Sequence, residues 1–390
     1  MGTVFERLKE AFERLRGLGK PAAPSLARKG DQSLVSEHAI VLALVIFWLL
    51  LIVSNSAFRQ FSNFSAIIKE ASMYAICGIG MTFAIISGDF DLSVASQIAL
   101  SSVVFTAIMN KLAPAHPGFS ILLACIIILI LGVVMGLING LLIARLKIPA
   151  FIATLAMQNV YRGLAQLVND SPVAIATLGK EYQAFSTGSG NGLKLAIGNF
   201  DILSFKGFGY TKILGLPLFF FIMVILVAVG TVILRKTKLG RDILAIGNSK
   251  SAARIAGVNI PRTQVKIYVL VGLFTAVTAL MLTANQGSSN YGVPDGTEFT
   301  VISAVVLGGT ALVGGKGSIF NTAIAMLFIT TIATAMTSFG VSNNAYGIFR
   351  GIILVFAFSL NTINVWYDVY KVKRDAKRAA AVKEQRVQQA

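Results

Sequence analysis

The sequence predicts an all-α polytopic membrane protein with about ten transmembrane helices. Hydrophobic residues make up 55% of the 390 residues, whereas charged residues make up only 13%. Apolar runs of about 18 to 20 residues recur along the chain, and this length crosses the hydrocarbon core of a bilayer. These two observations define the class of protein before any motif is considered.

Ten apolar runs account for the predicted spans, two of them short. In chain order they are residues 38–55, 67–87, 91–110, 119–143, 150–168, 214–234, 267–284, 297–313, 318–337 and 344–365. They define a transmembrane domain at 38–366, which contains an outer loop (169–213) and a cytoplasmic coupling segment (235–266). A basic cytoplasmic N-terminal segment (1–37) precedes the domain, and a basic cytoplasmic tail (367–390) follows it.

The basic residues lie on one side of this predicted topology. The formal net charge is +17. If both termini are cytoplasmic, most Lys and Arg residues fall in the N-terminal segment, the coupling segment and the tail, as the positive-inside rule requires. An even number of spans keeps both basic ends on that side. The charge is thereby explained without a nucleic acid, and no nucleic-acid partner is predicted.

The chain offers few groups for metal or catalytic chemistry. Its only histidines are His38 and His116, and both cysteines, Cys77 and Cys125, lie in apolar spans. Zinc and haem sites need clustered ligands of these types. We therefore expect no metal and no cofactor in this chain, and a membrane-embedded enzyme is the weaker alternative.

Two segments interrupt the helical pattern near the predicted inner face. The first, which we call the acidic turn, is Ser87–Ser93, reading Ser-Gly-Asp-Phe-Asp-Leu-Ser. Asp91 or Ser93 would cap the following helix, and Asp89 would be favoured near its N-terminus. One interpretation is a simple capped turn. The other is that Asp89, Asp91 and Ser93 face a cavity or gate, because carboxylates at membrane depth are costly against lipid.

The second interruption, the glycine turn, is Leu307–Ser318 and contains five glycines. Exposed backbone at membrane depth is tolerated only where protein or a water-filled cavity covers it. The segment is not a phosphate-binding loop, because Thr310 stands where that motif needs its first glycine and Gly317 follows the lysine. We expect it at the translocation path or its inner gate. The candidate residues there, with two polar positions inside spans, are Gly308, Gly309, Thr310, Gly314, Gly315, Asn139 and Thr154.

Gly132, Gly136 and Gly140 recur every four residues along one predicted span. This small-x-x-x-small pattern permits close approach of two helices in a membrane. It predicts a packing contact.

A polar, helix-forming segment lies between two apolar runs at Gly240–Gly257, and we call it the island. It is predicted to be a docking element for another protein. A transporter coupled to protons or sodium usually has charged groups at the midplane, whereas the acidic residues of this chain lie near a face. The pattern favours a pathway whose energy comes from another subunit.

Four segments, in order, resemble the membrane permease subunit of ribose/xylose/galactose-type ABC sugar importers. They are Gly80–Val94, Ile138–Gly140 with Lys147–Leu155, the island, and the glycine turn. The likeness extends over nearly the whole chain from about residue 40. It implies a type II-like importer fold in the bacterial inner membrane, working as a pair of permease subunits.

The resemblance also implies partners. These are a cytoplasmic ABC ATPase that holds ATP and Mg, and a periplasmic or lipid-anchored sugar-binding protein. The island corresponds to the coupling helix that sits in a cleft of the ATPase. The candidate coupling residues are Gly247, Asn248, Ala252, Ala253, Arg254 and Gly257.

The chain departs from the family pattern at two places. Ala95 follows Leu-Ser-Val, where the family usually has glycine, and Ser249 and Lys250 replace an acidic pair in the island. The second change predicts an acidic matching surface on the ATPase. The expected function is import of a pentose or hexose. Import of a nucleoside or another small polar solute, and ATP-independent facilitated transport, remain alternatives.

Overall fold

The structure is a computed structural model that describes residues 34–112, 117–169, 173–175, 211–213, 215–289, 291 and 296–341, with a few helical residues between 347 and 359. Most of the predicted N-terminal segment, most of the outer loop, most of the run 344–365 and the tail lie outside the described residues. The chain divides into two compact units, Met1–Ala39 and Ile40–Ala390. The second contains the helical bundle and two small sheets.

The described residues fold mainly into α-helices. These are α1 (Leu34–Ser54), α2 (Phe61–Ile86), α3 (Val94–Leu112), α4 (Pro117–Ala144), α5 (Ala150–Val168), α6 (Leu218–Lys236), α7 (Lys238–Asn248), α8 (Lys250–Ile255), α9 (Ile260–Gln286), α10 (Thr297–Leu307) and α11 (Ile319–Ser338). A short 3₁₀ helix, Ser56–Arg59, joins α1 to α2. The predicted helical class is confirmed for this part of the chain.

Four helices of the described part are long and apolar enough to cross a membrane: α4 (from Phe119), α6, α9 and α11. Helices α2, α3 and α5 have 26, 19 and 19 residues and coincide with predicted spans. The predicted span 297–313 is different, because its helix ends at Leu307 after 11 residues. The glycine turn ends this helix early. At 1.5 Å per residue the helix is only about 16 Å long, which is too short to cross the membrane.

Helix α9 forms the centre of the bundle and packs against α2, α3 and α4. Of its most apolar stretch, 72% is buried, compared with 22% for α6, which has most of its surface on the outside. The helix begins at Ile260, before the predicted span at 267. Asn259 caps it by accepting from the Arg262 N–H, and proline follows within the first turn. These start signals extend the helix to the end of the island.

The three regularly spaced glycines lie where α4 crosses α9. A Cβ at Gly136 would be 2.2 Å from the Tyr268 carbonyl oxygen, and one at Gly132 would be 2.5 Å from the Gly272 carbonyl oxygen. At Gly140 it would be 2.9 Å from the Val265 Cα. The backbones of the two helices therefore touch directly, and the predicted packing contact is confirmed.

Gly136→Ala should destabilise the bundle. The added methyl group would overlap backbone atoms, which cannot rotate away, and overpacking of this kind costs about 1–3 kcal/mol. The measurement is the thermal unfolding midpoint of the detergent-purified chain. Gly163→Ala in α5 is the matched control, because its Cβ would meet nothing within 4 Å. Equal midpoints for the two variants would contradict the packing role.

Two small sheets lie next to the helices. Strand β1 (Val173–Ala174) pairs antiparallel with β4 (Ser288–Ser289), and β2 (Lys212–Ile213) pairs with β3 (Leu216–Pro217). The Ile175 N–H also donates to the Gly287 carbonyl at 3.0 Å. The first sheet thus joins the start of the predicted outer loop to the segment after α9, and the sequence placed both on one rim.

Candidate functional site

The acidic turn, the island and the glycine turn meet at one end of the bundle, and we call their meeting point the junction. Gly247, near the end of α7, lies against the end of α2 and against the glycine turn. A Cβ there would be 1.8 Å from the Ile86 carbonyl oxygen and 2.3 Å from the Gly315 nitrogen. The Gly315 N–H donates to the same Ile86 carbonyl at 2.8 Å. The backbone at the end of α2 and the backbone of the glycine turn therefore both contact the island at Gly247.

The glycine turn needs its glycines for two reasons. Gly309, Gly314 and Gly315 have φ angles of 85°, 90° and 79°, which L side chains rarely adopt. Gly308 is required by closeness, since a Cβ would lie 2.8 Å from the Thr322 nitrogen at the start of α11. Hydrogen bonds from the Ala311 N–H to the Lys316 carbonyl and from the Gly314 N–H to the Ala311 carbonyl, both 2.9 Å, close the turn.

Thr310 lies inside the glycine turn and is completely buried. Its hydroxyl has no hydrogen-bond partner among the described residues. Its N–H donates to the Val305 carbonyl at 3.2 Å, so the backbone is satisfied. A buried hydroxyl without a partner is costly, so this side chain is held in an unfavourable environment.

Asp89 connects the acidic turn with α9 and with the island. Its Oδ2 accepts from Gln264 Nε2 at 2.9 Å, and its Oδ1 lies 3.5 Å from Lys250 Nζ. The Tyr268 hydroxyl, one helical turn after Gln264, donates to the Phe90 carbonyl at 3.2 Å. The sequence placed Asp89 near the start of the next helix. The structure instead shows its carboxyl group engaged by α9 and α8.

Asp91 is the centre of a buried network of hydrogen bonds. Its Oδ1 accepts from the Ser93 N–H at 2.8 Å and from the Ser93 hydroxyl at 2.5 Å. Its Oδ2 accepts from Gln97 Nε2 at 3.2 Å and from Asn139 Nδ2 at 3.0 Å. Four donors thus converge on one carboxyl group, and Asp91 is completely buried.

The network continues from α3 into two further helices. The Ser93 Oγ accepts from Gln97 at 2.8 Å and from Asn139 at 2.9 Å. The Tyr161 hydroxyl donates to Asn139 Oδ1 at 3.0 Å. The acidic turn, α3, α4 and α5 are therefore joined at one level. Gln97 and Tyr161 were missed by the sequence analysis; only Gln97 had a readable signal, because it lies four residues after Ser93, within the first turns of the helix that follows it.

The structure brings together three of the candidate gate residues, Asp91, Ser93 and Asn139. Thr154 lies apart from them, and its hydroxyl donates to the Ala150 carbonyl of its own helix at 2.9 Å. All four side chains are completely buried. In this conformation they are covered by protein, so their place along a path stays a prediction.

The island is a compact pair of capped helices. The Thr237 hydroxyl accepts from the Gly240 N–H at 3.3 Å, and the Ser249 hydroxyl accepts from the Ala252 N–H at 3.2 Å. Ser249, which departs from the family pattern, therefore serves as the cap of α8. Ile246, Ala253 and Ile260 form a small core beneath the two helices.

The candidate coupling residues occupy three environments. Gly247 faces the junction, and Ala253 is buried in the small core of the island. The remaining four, Asn248, Ala252, Arg254 and Gly257, are exposed. Beside them Ile255 is 89% exposed, an apolar side chain at the end of a polar segment. The sequence analysis missed Ile255, although an isoleucine directly after Arg254 in a polar stretch was a visible signal.

Residues 63–358 match the protein family described as "Branched-chain amino acid transport system / permease component". The chain belongs to this family. The probable ABC transporter permease YphD of Escherichia coli is 32% identical over 329 residues, covering 84% of this chain and 90% of that protein. The ribose import permease RbsC of Bacillus subtilis is 35% identical over 318 residues, covering 81% and 90%.

The L-arabinose transport system permease AraH of Escherichia coli is 36% identical over 324 residues, which cover 81% of this chain and 85% of AraH. No solved structure matches the chain significantly. The resemblance read from the four sequence segments is confirmed. The chain is a multi-pass inner-membrane permease of the ABC transporter class.

Proposed function

We propose that the chain is the transmembrane subunit of an ATP-driven, binding-protein-dependent importer of a monosaccharide, a pentose or a hexose. One observation carries the proposal: the chain is similar over about four-fifths of its length to permeases named for ribose and L-arabinose. The family description names branched-chain amino acids. The similarity to sugar permeases of 35 and 36% identity favours a sugar over that class of substrate.

The proposed complex contains two permease copies, a cytoplasmic ABC ATPase that binds ATP and Mg, and a periplasmic or lipid-anchored sugar-binding protein. In this proposal the chain crosses the membrane ten times, and both termini and the island lie in the cytoplasm. The permease holds no cofactor and hydrolyses no ATP itself. Selection of the sugar rests largely with the binding protein, which delivers it to the outer face.

The junction supplies a physical route for coupling. The island is rigid, because both of its helices are capped and share a small core. It touches the end of α2 and the glycine turn through backbone, which neither compresses nor rotates away. Movement of the island by the ATPase would therefore displace both segments with it. ATP binding and the loaded binding protein would each favour one conformation by differential affinity.

The deciding experiment reconstitutes the permease with its copurified ATPase in liposomes. ATPase activity is measured without a binding protein and with one loaded with ribose, L-arabinose, a nucleoside or leucine. Stimulation by a sugar-loaded protein, together with sugar uptake, would support the proposal. Stimulation only by the nucleoside or leucine would change the substrate class, and uptake without any ATPase would make the chain a facilitator.

Ile255→Glu should weaken binding of the ATPase. An exposed apolar residue at the tip of a docking element is the type of side chain that fills a pocket, and truncation of such a contact costs about 2 kcal/mol or more, roughly 30-fold in affinity. The measurement is recovery of ATPase with the tagged permease over a concentration series. Ile255→Leu is the control and should bind normally. Equal recovery for both variants would remove Ile255 from the interface.

A further inference from the structure

We propose that Lys250, Asp89 and Gln264 form a clasp that ties the island to the acidic turn and opens when the island moves. The inference rests on the proposed function, since it concerns how movement of the island reaches the permease. It assigns a role to Lys250, the residue at which the island departs from the family pattern. Its action is positional, because none of the three side chains needs to touch the sugar.

The acidic turn is held by three neighbouring residues in three directions. Asp89 reaches the island and α9, and the carbonyl of Phe90 reaches α9. Asp91 reaches α3 and α4. A displacement of this turn therefore shifts the contacts of the central helix and of the buried network together. Of these ties, the contact between Lys250 and Asp89 is the side-chain link that joins the turn to the island.

Within the clasp, the ion pair between Lys250 and Asp89 is weaker than the buried hydrogen bonds around it. The Gln264 and Asn139 hydrogen bonds are 2.9 and 3.0 Å long and buried. The Lys250–Asp89 contact is 3.5 Å long, and the lysine side chain is 52% exposed. Partly exposed ion pairs are weak, because water and salt screen them. This is the link that opens first when the island is pulled, while the buried ties keep the turn intact.

The position of Lys250 also supports a role for its charge. It is the first residue of α8, where a positive charge is disfavoured by the unpaired N–H groups of the helix start. Asp89 compensates by placing a carboxyl oxygen beside the ammonium group. The buried Gln264 side chain donates to the other oxygen of that carboxyl group. This hydrogen bond orients the carboxyl group toward Lys250.

Lys250→Met tests the clasp in the reconstituted complex. We expect it to lower the sugar transported per ATP hydrolysed several-fold while ATP hydrolysis continues, because the island then moves without carrying the turn. Lys238→Met is the matched control, since Lys238 is the exposed first residue of α7. The double variant Asp89→Lys/Lys250→Asp should restore the ratio. A purely structural role would lower yield and both activities together and leave the ratio unchanged, which would overturn the clasp.

A second measurement tests whether the clasp must open. Asp89→Cys/Lys250→Cys is joined by a short reducible thiol linker in the assembled complex; the native Cys77 is buried and Cys125 partly buried. Transport should stop on cross-linking and return on reduction to the lowered level expected of a variant without the ion pair. Normal transport by the cross-linked complex would overturn the proposal. If the unaltered complex shows no stimulation by any loaded sugar-binding protein, the proposed function fails first, and the clasp fails with it.

Discussion

Gly247→Ala is expected to abolish binding-protein-stimulated transport while the transmembrane bundle still folds. The new methyl group would lie 1.8 Å from the Ile86 carbonyl oxygen and 2.3 Å from the Gly315 nitrogen. Both are backbone atoms, so the island itself must shift away from the junction. Overpacking against backbone costs about 1–3 kcal/mol, and here it acts on the contact through which the island moves the permease. We expect at least a tenfold loss of stimulated uptake.

Two controls separate this effect from general damage. Ser251→Ala changes an exposed residue of α8 and should transport normally. Gly163→Ala makes the same chemical change in open space within the bundle. The purified Gly247→Ala chain should elute as a single species and retain its unfolding midpoint within a few degrees. Uptake equal to that of the unaltered chain would show that the junction does not transmit movement.

Asp91→Leu is expected to destabilise the bundle more than any single hydrogen-bond deletion. Four donors lose their acceptor at once, from the Ser93 N–H and hydroxyl, the Gln97 amide and the Asn139 amide. Each buried donor left without a partner costs about 1–3 kcal/mol. The amides retain the Ser93 hydroxyl, so we expect a total of about 3 kcal/mol or more, measured as a loss of folded yield and a lower unfolding midpoint.

Asp91→Asn keeps the shape but replaces one acceptor with a donor. The Gln97 Oε1 has no hydrogen-bond partner among the described residues, so this amide can turn its oxygen toward the new donor. The loss of stability caused by Asp91→Asn should therefore be less than half of the loss caused by Asp91→Leu. Tyr161→Phe removes only the outermost hydroxyl and should cost about 1 kcal/mol. An unfolding midpoint that is unaffected by leucine at position 91 would contradict the central place of this carboxyl group.

The sequence was sufficient to predict those features that depend on residues close together in the chain. The spacing of three glycines alone predicts a close helix contact at Gly132, Gly136 and Gly140. The structure adds only that α9 is the partner helix. The helix positions follow from apolar runs for the same reason. The span 297–313 shows the limit of this approach, because a largely apolar run is broken by the backbone requirements of its glycines.

Partners far apart in the chain could not be predicted. Gln264 lies 175 residues after Asp89, and Asn139 lies 48 residues after Asp91. No pattern within one sequence connects them, so the sequence could not show that Asp89 and Asp91 bind partners on different helices. Ala253 is a similar case. Its place in the small core of the island depends on where Ile260 starts the next helix.

The length of α9 links events at the two ends of the bundle. This single helix of 27 residues is about 40 Å long. Near its start Gln264 holds the acidic turn, and just after its end Gly287 accepts the hydrogen bond of Ile175 beside the small sheet. Both ends therefore belong to one continuous helix, and α4 packs against it between them, from Val265 to Ala276. A tilt of a few degrees would displace its two ends in opposite directions, so that a movement at one end of the bundle would be accompanied by a movement at the other.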